Sequence, residues 1–295
     1  MKLLITGANG QLGNELRSII STSQAEIGKI DTSDITAEFI DIAELDISKL
    51  EDVIAYIAKG GYDAVINCAA YTDVNGCETN IDTAFKVNAM GPRNLAIACE
   101  KTGAKFLHVS TDYVFEGNGT KPYIEWDICN PQSVYGNSKY LGECYIREFC
   151  SKYFIMRTSW LYGSVGKNFV RTIIKNGQKL GSLKVVSDQL GNPTNANDLA
   201  YHILKLITTQ EYGIYHCTGA GECSWYDFAC EIIRLAEVDC VVNPCSTDEF
   251  PTPAKRPAYS SLDNAALRCI GLDEMRDWKQ ALATGIVKIL ENGVE

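Results

Sequence analysis

The chain has 295 residues, 46% of them hydrophobic and 22% charged, an ordinary composition for a water-soluble protein of one large or two ordinary domains. Its net charge of -10 argues against nucleic acid or an anionic membrane as a partner, while local basic groups can still meet an anionic substrate. No apolar run approaches the roughly 20 residues of a membrane span, and the run from Met1 is cut by Gly7 too early for a signal peptide, so the expected compartment is the cytoplasm.

Lys2 to Thr6 reads as a short strand running into Gly7-Ala8-Asn9-Gly10-Gln11-Leu12-Gly13, with a helix predicted through about Ile20. Strand, glycine turn and helix give a Gly-x-x-Gly-x-x-Gly run its meaning. Glycines let backbone amides approach a pyrophosphate, and the helix N-terminus favours its charge. The next strand of such a unit ends in an acid that bonds a ribose, usually about 20 residues on. Two candidates lie further away. Asp31 follows a poor strand containing Gly28. Asp41 follows Glu38-Phe39-Ile40, a better β run, and is preferred, with residues 21–36 as an insertion.

Leu50 to Lys59 is predicted as an amphipathic helix. Ala64 to Ala70 is a continuous apolar run ending in small residues, as in a buried parallel strand whose carboxyl end faces a ligand. Asp82 to Lys101 reads as one helix, and Asn88 within it reads as solvated. Lys105 to Val109 is a strand running into Ser110-Thr111-Asp112-Tyr113. These polar residues either face the same crevice or cap a turn. A Gly- and Pro-containing loop, 116–131, precedes a helix from about Ser133 to Phe149, with Leu141, Tyr145 and Phe149 as its expected core stripe. That helix carries Tyr135 and Lys139, one turn apart on one face.

Tyr153 to Trp160 is predicted as a strand and Asn168 to Asn176 as a helix. Short strands at Leu183–Val186 and Ile214–Cys217 follow, with helices at Asp198–Ile207, Trp225–Glu237 and Asp277–Leu290. A Pro-rich connection is expected between Asn243 and Asp263. The alternation before residue 160 predicts an α/β, doubly wound parallel sheet of Rossmann type. Residues 1–160 form the expected dinucleotide-binding domain. Residues 161–295 form a smaller, irregular lobe, partly interleaved with it, over the carboxyl edge of the sheet.

Reducing a carbonyl requires a hydride at carbon and a proton at oxygen. A tyrosine hydroxyl ionises near pH ~10, and a neighbouring ammonium lowers that value. Tyr135 is thus the expected proton donor and Lys139 its electrostatic partner, with Thr111 holding the carbonyl oxygen in line. Lys255 and Arg256 are the best basic pair for a diphosphate, and equally read as a solvated loop. Trp160 either packs against a sugar face or is core.

Other chemistries fit poorly. No histidine accompanies a serine elbow, and His108, inside an apolar strand, reads as structural. No phosphate-binding loop of the Gly-x-x-x-x-Gly-Lys type occurs. The twelve cysteines include no Cys-x-x-Cys and read mainly as reduced core thiols; with three histidines, none at ligand spacing from a cysteine, no metal site is expected.

Taken together, these segments resemble the extended short-chain dehydrogenase/reductase superfamily and, within it, the dTDP-4-dehydrorhamnose reductase family. The resemblance spans nearly the whole chain. It is carried by the glycine turn, Glu44-Leu45-Asp46-Ile47-Ser48, Asn67 to Thr72, Val87 to Pro92, Ser110 to Phe115 and Tyr135 to Lys139. It continues in Arg157 to Gly163, Asp188 to Thr194 and Lys255-Arg256-Pro257. The resemblance implies that Gly10, Gln11 and Leu12, with Gly7 and Gly13, line the cofactor phosphates. Asp41, Asp46 and Ile47 would lie at the adenosine end, and Ala69, Ala70 and Tyr71 at the ribose and nicotinamide. Asn67 and Asn88 are carried over as further cofactor contacts. Thr111, Asp112, Tyr113 and Trp160 would face the sugar. The implied reaction reduces the 4-keto group of dTDP-4-dehydro-6-deoxy-L-mannose with NADPH or NADH. An acid at the ribose tilts towards NADH. A homodimer is left open. Rival readings are an epimerase or dehydratase on the same fold and a non-catalytic dinucleotide-binding regulatory subunit.

Overall fold

Residues 2–6, Lys-Leu-Leu-Ile-Thr, form β1 (Lys2–Thr6), which is paired on both sides in a parallel sheet and apolar on both faces, as a strand between two layers must be. In the computed structural model, which describes residues 1–293, α1 (Gln11–Thr22) returns the chain to β2 (Thr36–Ile40), and α2 (Leu50–Gly60) leads to β3 (Ala64–Asn67). Two short helices, α3 (Val74–Thr79) and α4 (Ile81–Phe85), and a π-helical turn, Lys86–Met90, precede α5 (Gly91–Thr102). Then come β4 (Lys105–Thr111), α6 (Val134–Phe149) and β5 (Tyr153–Thr158).

Beyond β5 the alternation loosens. The elements are β6 (Leu161–Tyr162), α7 (Phe169–Leu180), β7 (Ser182–Val186), β8 (Leu190–Gly191), β9 (Thr194–Asn195) and α8 (Ala196–Ile207). After them come β10 (Gly213–His216), β11 (Cys223–Ser224), α9 (Trp225–Leu235), β12 (Val241–Cys245), α10 (Ala265–Cys269) and α11 (Trp278–Glu291). β10 leaves this later part to join the main sheet beside β5.

The sheet order is β10-β5-β4-β3-β1-β2, all parallel. The order reverses at β1, so a crevice opens outside the carboxyl ends of β1 and β3, where ligands of such sheets bind. Leu3 and Ile5 pack in one layer with Leu16 of α1 and Leu199 and Ile203 of α8; Leu4 packs in the other with Val53, Ile57, Leu95 and Ile146. A third cluster, including Ile174, Phe228, Trp278, Leu282 and Ile286, forms the core of the later lobe.

The structure corrects three expectations. Asp82 to Lys101 is not one helix. Pro92 has no N–H for the Asn88 carbonyl four residues earlier, and its ring would clash there, so the chain makes a π turn instead. The buried face of α6 is Ser138, Lys139, Gly142, Glu143 and Ile146, while Leu141, Tyr145 and Phe149 are half-buried at its flank. Spacing alone showed a stripe, but a glycine and two ionisable side chains occupy the true interior face. Val241–Cys245 is a strand despite Pro244, which it tolerates in a two-stranded pairing with β7. Most of the expected insertion, residues 23–35, lies between α1 and β2 and is packed: Ala25 is buried, Ile27, Ile30 and Ile35 pack against the first core layer, and Glu26 pairs with Arg276 at 2.9 Å and Lys288 at 3.0 Å.

Candidate active site

A groove of about 880 Å³ runs along the carboxyl ends of β1, β3, β4 and β5. At one end the turn after β1 is built for close approach. Gly7 has φ +67°, and a Cβ there would lie 2.6 Å from the Ala69 nitrogen; one at Gly13 would lie 2.6 Å from Ala8 Cα. No side chain caps the start of α1, so the first amides of Gln11, Leu12 and Gly13 face the groove, a ready site for phosphate oxygens. Asn168 Nδ2 donates to Gln11 Oε1 at 3.0 Å and to Gly163 O at 3.0 Å, tying the loop at 163–168 across this end.

Asp41 directly follows β2, accepts from Asn9 N at 3.0 Å and lines the groove with Asp46 and Ile47. Asp31 lies on the exposed loop before β2, with its carboxylate on Ser33. Ala69, Ala70 and Tyr71 line the middle. Two expected cofactor contacts lie behind the wall instead. Asn88, fully buried on the π turn, accepts from Tyr71 N at 2.8 Å and donates to Tyr71 O and Ser138 Oγ, both at 3.1 Å. It was read as solvated because a helical pattern does not reveal a π turn, whereas a helix break signalled by Pro92 would have flagged it. Asn67, also fully buried, accepts from Thr6 Oγ1 at 2.7 Å and Ala69 N at 3.1 Å.

Tyr135, Thr111, Asp112 and Tyr113 meet at the centre. The Tyr135 and Tyr113 rings are edge-on at 5.5 Å. Thr111 Oγ1 donates to Asp112 Oδ1 at 2.9 Å, while Asp112 Oδ2 is buried without a hydrogen-bonding partner. Burial pushes the Asp112 carboxyl up to about 6, against the pull of neighbouring hydroxyls. Burial also pushes the Tyr135 phenol well above its usual value; a hydrogen bond with Thr111 pulls the other way. The expectation that Lys139 lowers this phenol is corrected. Lys139 lines the groove, but its Nζ is turned to the sheet, 3.1 Å from His108 Nε2 and donating to Val109 O at 2.7 Å. Burial brings Lys139 down to about 8. His108, read as merely structural, therefore touches the lysine of the site.

Trp160 follows β5 with φ +46°, strained for so large a residue, and its indole stacks on Trp225 at 3.5 Å and 7°. A Cβ at Gly191 would come within 2.5 Å of the same indole, so the ring is clamped on two sides while still lining the groove. Trp225 was missed because it opens a helix far along the chain. Lys255 and Arg256 do not line the groove. They border a smaller cavity of about 170 Å³ behind Tyr113, where Arg256 donates to Tyr113 Oη at 2.9 Å and Asn75 Oδ1 at 3.1 Å. Among the described residues, no group of three or more His, Cys, Asp or Glu is placed to hold a metal ion, and all twelve cysteines are unpaired. No helix among them is long and apolar enough to cross a membrane.

The reversed sheet order, the uncapped glycine turn and the Tyr-x-x-x-Lys face over a Ser-Thr strand end define a Rossmann-type short-chain dehydrogenase/reductase. The family model described as "RmlD substrate binding domain" matches residues 1–290. A dTDP-4-dehydrorhamnose reductase of Clostridium acetobutylicum has a solved structure with a TM-score of 0.93 and 46% identity, covering 98% of this chain and 100% of that one. That of Bacillus anthracis, in complex with NADP, gives 0.91 and 40%, covering 97% and 99%. A dTDP-4-dehydrorhamnose reductase of Aggregatibacter actinomycetemcomitans is 38% identical over 293 residues, 95% of this chain and 97% of that one. The chain belongs to the dTDP-4-dehydrorhamnose reductase family, matched by the RmlD model.

Proposed function

We propose that the protein reduces the 4-keto group of dTDP-4-dehydro-6-deoxy-L-mannose to give dTDP-L-rhamnose, using NADPH or NADH. The observation that carries this reading is the meeting of Tyr135 and Thr111 in the same groove as the Gly7–Gly13 cradle. The cradle suits a dinucleotide: two Cβ-intolerant glycines and an uncapped helix start leave amides for a pyrophosphate. Gly7, Gly10, Gln11, Leu12 and Gly13 would hold it, Asp41, Asp46 and Ile47 the adenosine end, and Ala69, Ala70 and Tyr71 the far end. When bound, the reduced nicotinamide supplies a hydride.

The chain's own residues do the rest. Tyr135 Oη gives its proton to the carbonyl oxygen, and Thr111 donates its one O–H to the same oxygen in place of Asp112 Oδ1. Lys139 is the proton partner on the same helix face. Asn67 and Asn88 act through the strand ends and loop they fasten. Asp112 and Tyr113 bound the sugar site, and the Trp160 ring offers it an apolar wall. Lys255 and Arg256 serve the diphosphate from the cavity behind Tyr113. Family members in the nearest rival class, epimerases, recycle their cofactor. Purified protein given the 4-keto sugar nucleotide should consume reduced nicotinamide one-for-one, read as loss of its near-ultraviolet absorbance. No consumption with either NADPH or NADH would overturn the reading.

A further inference from the structure

Behind the groove a buried polar string runs Thr6, Asn67, His108, Lys139, and its proton count can be fixed from one end. The Ala69 N–H can only donate, and it donates to Asn67 Oδ1 at 3.1 Å, as the Thr6 hydroxyl does at 2.7 Å. The other end of that amide is therefore Nδ2, which is purely a donor. It meets His108 Nδ1 at 2.9 Å, so Nδ1 must carry a lone pair. His108 is 0% exposed, and burial, the largest cause, holds its ionisation well below the usual range. A neutral imidazole with a bare Nδ1 has its one proton on Nε2. That N–H faces Lys139 Nζ at 3.1 Å. An ammonium has no lone pair to receive it. A neutral amine has one, and keeps hydrogens for Val109 O at 2.7 Å.

We propose that Asn67 locks His108 in the Nε2–H tautomer, and that His108 thereby holds Lys139 as a neutral amine in this position. His108 is then a positioning residue that ties the charge of the lysine to its place. Lys139 takes up its proton only on leaving the His108 N–H, so a positive charge arrives beside Tyr135 when the side chain turns from the sheet towards the groove. The proposal rests on the reading of Lys139 as the partner of Tyr135. The other ionisable groups facing Lys139 do not reverse it. Burial brings the lysine down to about 8, against the pull of Glu143 one turn on along α6, which still leaves the ammonium in excess at neutral pH; the His108 N–H, which only a lone pair can meet, carries it the rest of the way to the amine. The Cys68 thiol beyond β3 is pushed up to about 12 by burial and stays neutral, and the Tyr135 phenol is also held protonated.

The chain has three histidines, His108, His202 and His216, which makes a direct test simple. The full-length protein, labelled with ¹⁵N in histidine only, is examined by two-bond ¹⁵N–¹H correlation, with the His108 signals assigned by their loss in His108→Gln. His108 should show a bare Nδ1 and a protonated Nε2, unchanged from about pH 6 to 9. An Nδ1–H pattern, or an imidazolium forming in that range, would overturn the proposal. Asn67→Asp supplies a second reading: a carboxylate accepts from His108 Nδ1–H, so the tautomer should invert and the Lys139 ¹³Cε titration should move up by about one unit or more. An unmoved tautomer in a folded Asn67→Asp protein would contradict the lock; if that variant fails to fold, the unsubstituted spectrum decides. None of these readouts uses turnover. A protein that shows the expected tautomer but reduces no sugar would refute the reductase reading alone.

Discussion

Tyr135 keeps its proton because burial makes phenolate costly, and only Thr111 pulls the other way. A donor of this kind releases its proton when a carbonyl oxygen beside it gains negative charge, not before. Changing Tyr135 to Phe removes the proton and keeps the ring that meets Tyr113 edge-on. Turnover should fall by roughly 100-fold or more, while cofactor affinity, measured by quenching of tryptophan fluorescence, stays near that of the unsubstituted protein. Surviving turnover would reassign the donor. Asp112 gives a pH signature. Its folded carboxyl is raised to about 6 by burial, so folding favours the neutral form. The sign follows: there is no penalty below the unfolded value of about 4, a growing one as pH rises through that value, and the full one, roughly 3 kcal/mol, above about 6. Asp112→Asn should therefore gain thermal stability relative to the unsubstituted protein as pH rises from about 4 to 7. A difference that stays flat across that range would contradict the assignment. That Tyr135, Lys139 and Thr111 share one groove was legible, because the helical spacing of the first two and the strand end carrying the third are local patterns. What spacing did not show is where Lys139 points: side-chain partners such as His108 come from another strand, and no local pattern encodes them.

At the scale of elements, the π turn is the feature a helical pattern hides. It presents Asn88 inward to clamp both backbone groups of Tyr71 against α6. Asn88→Ala would leave that buried amide and carbonyl without partners, a loss of about 1–3 kcal/mol each at most. The expected result is a lower Tm together with weaker NADPH binding; a lower Tm with unchanged binding would show that Tyr71 needs no such clamp. Gly142 passes so near the same turn that a Cβ would stand 2.4 Å from Asn88 O. Gly142→Ala should destabilise by about 1–3 kcal/mol, since neither backbone can yield. A neutral substitution there would mean that α6 can shift away from the turn. The parallel strands and most helices were readable in the sequence because continuous apolar runs and amphipathic stripes are local. The strand Val241–Cys245 was not, because its partner β7 lies far back along the chain, and the short helices α3 and α10 were not, because six and five residues are too few to show an amphipathic stripe.

At the scale of the molecule, the two ends of the chain meet. Arg276, just before α11, reaches Glu26 at 2.9 Å and Asp198 at 2.6 Å, and Lys288 reaches Glu26 at 3.0 Å. The segment between α1 and β2 is thus fastened to the later lobe across the first core layer. Burial raises the Glu26 carboxyl, but Lys288 and Arg276 outweigh it and leave a net lowering. Arg276→Met would leave Asp198 buried without its cation, beside a Glu26 that keeps only Lys288, and should cost roughly 3–5 kcal/mol at neutral pH, a loss that shrinks in acid as the carboxyls protonate. A Tm unchanged by Arg276→Met would show the cluster to be incidental. This long-range staple carried no sequence signal beyond an unremarkable acid and arginine.

The proposed reaction passes a hydride from a nicotinamide to carbon 4 of the sugar while Tyr135 protonates the oxygen. The protein should therefore be given NADPH deuterated at the transferring position and the dTDP-linked 4-keto sugar, and the product examined by mass and NMR spectroscopy. One deuterium is expected at carbon 4 of the product, with one oxidised cofactor released for each. Deuterium absent from the sugar, or cofactor returned unchanged while the sugar is converted, would contradict it.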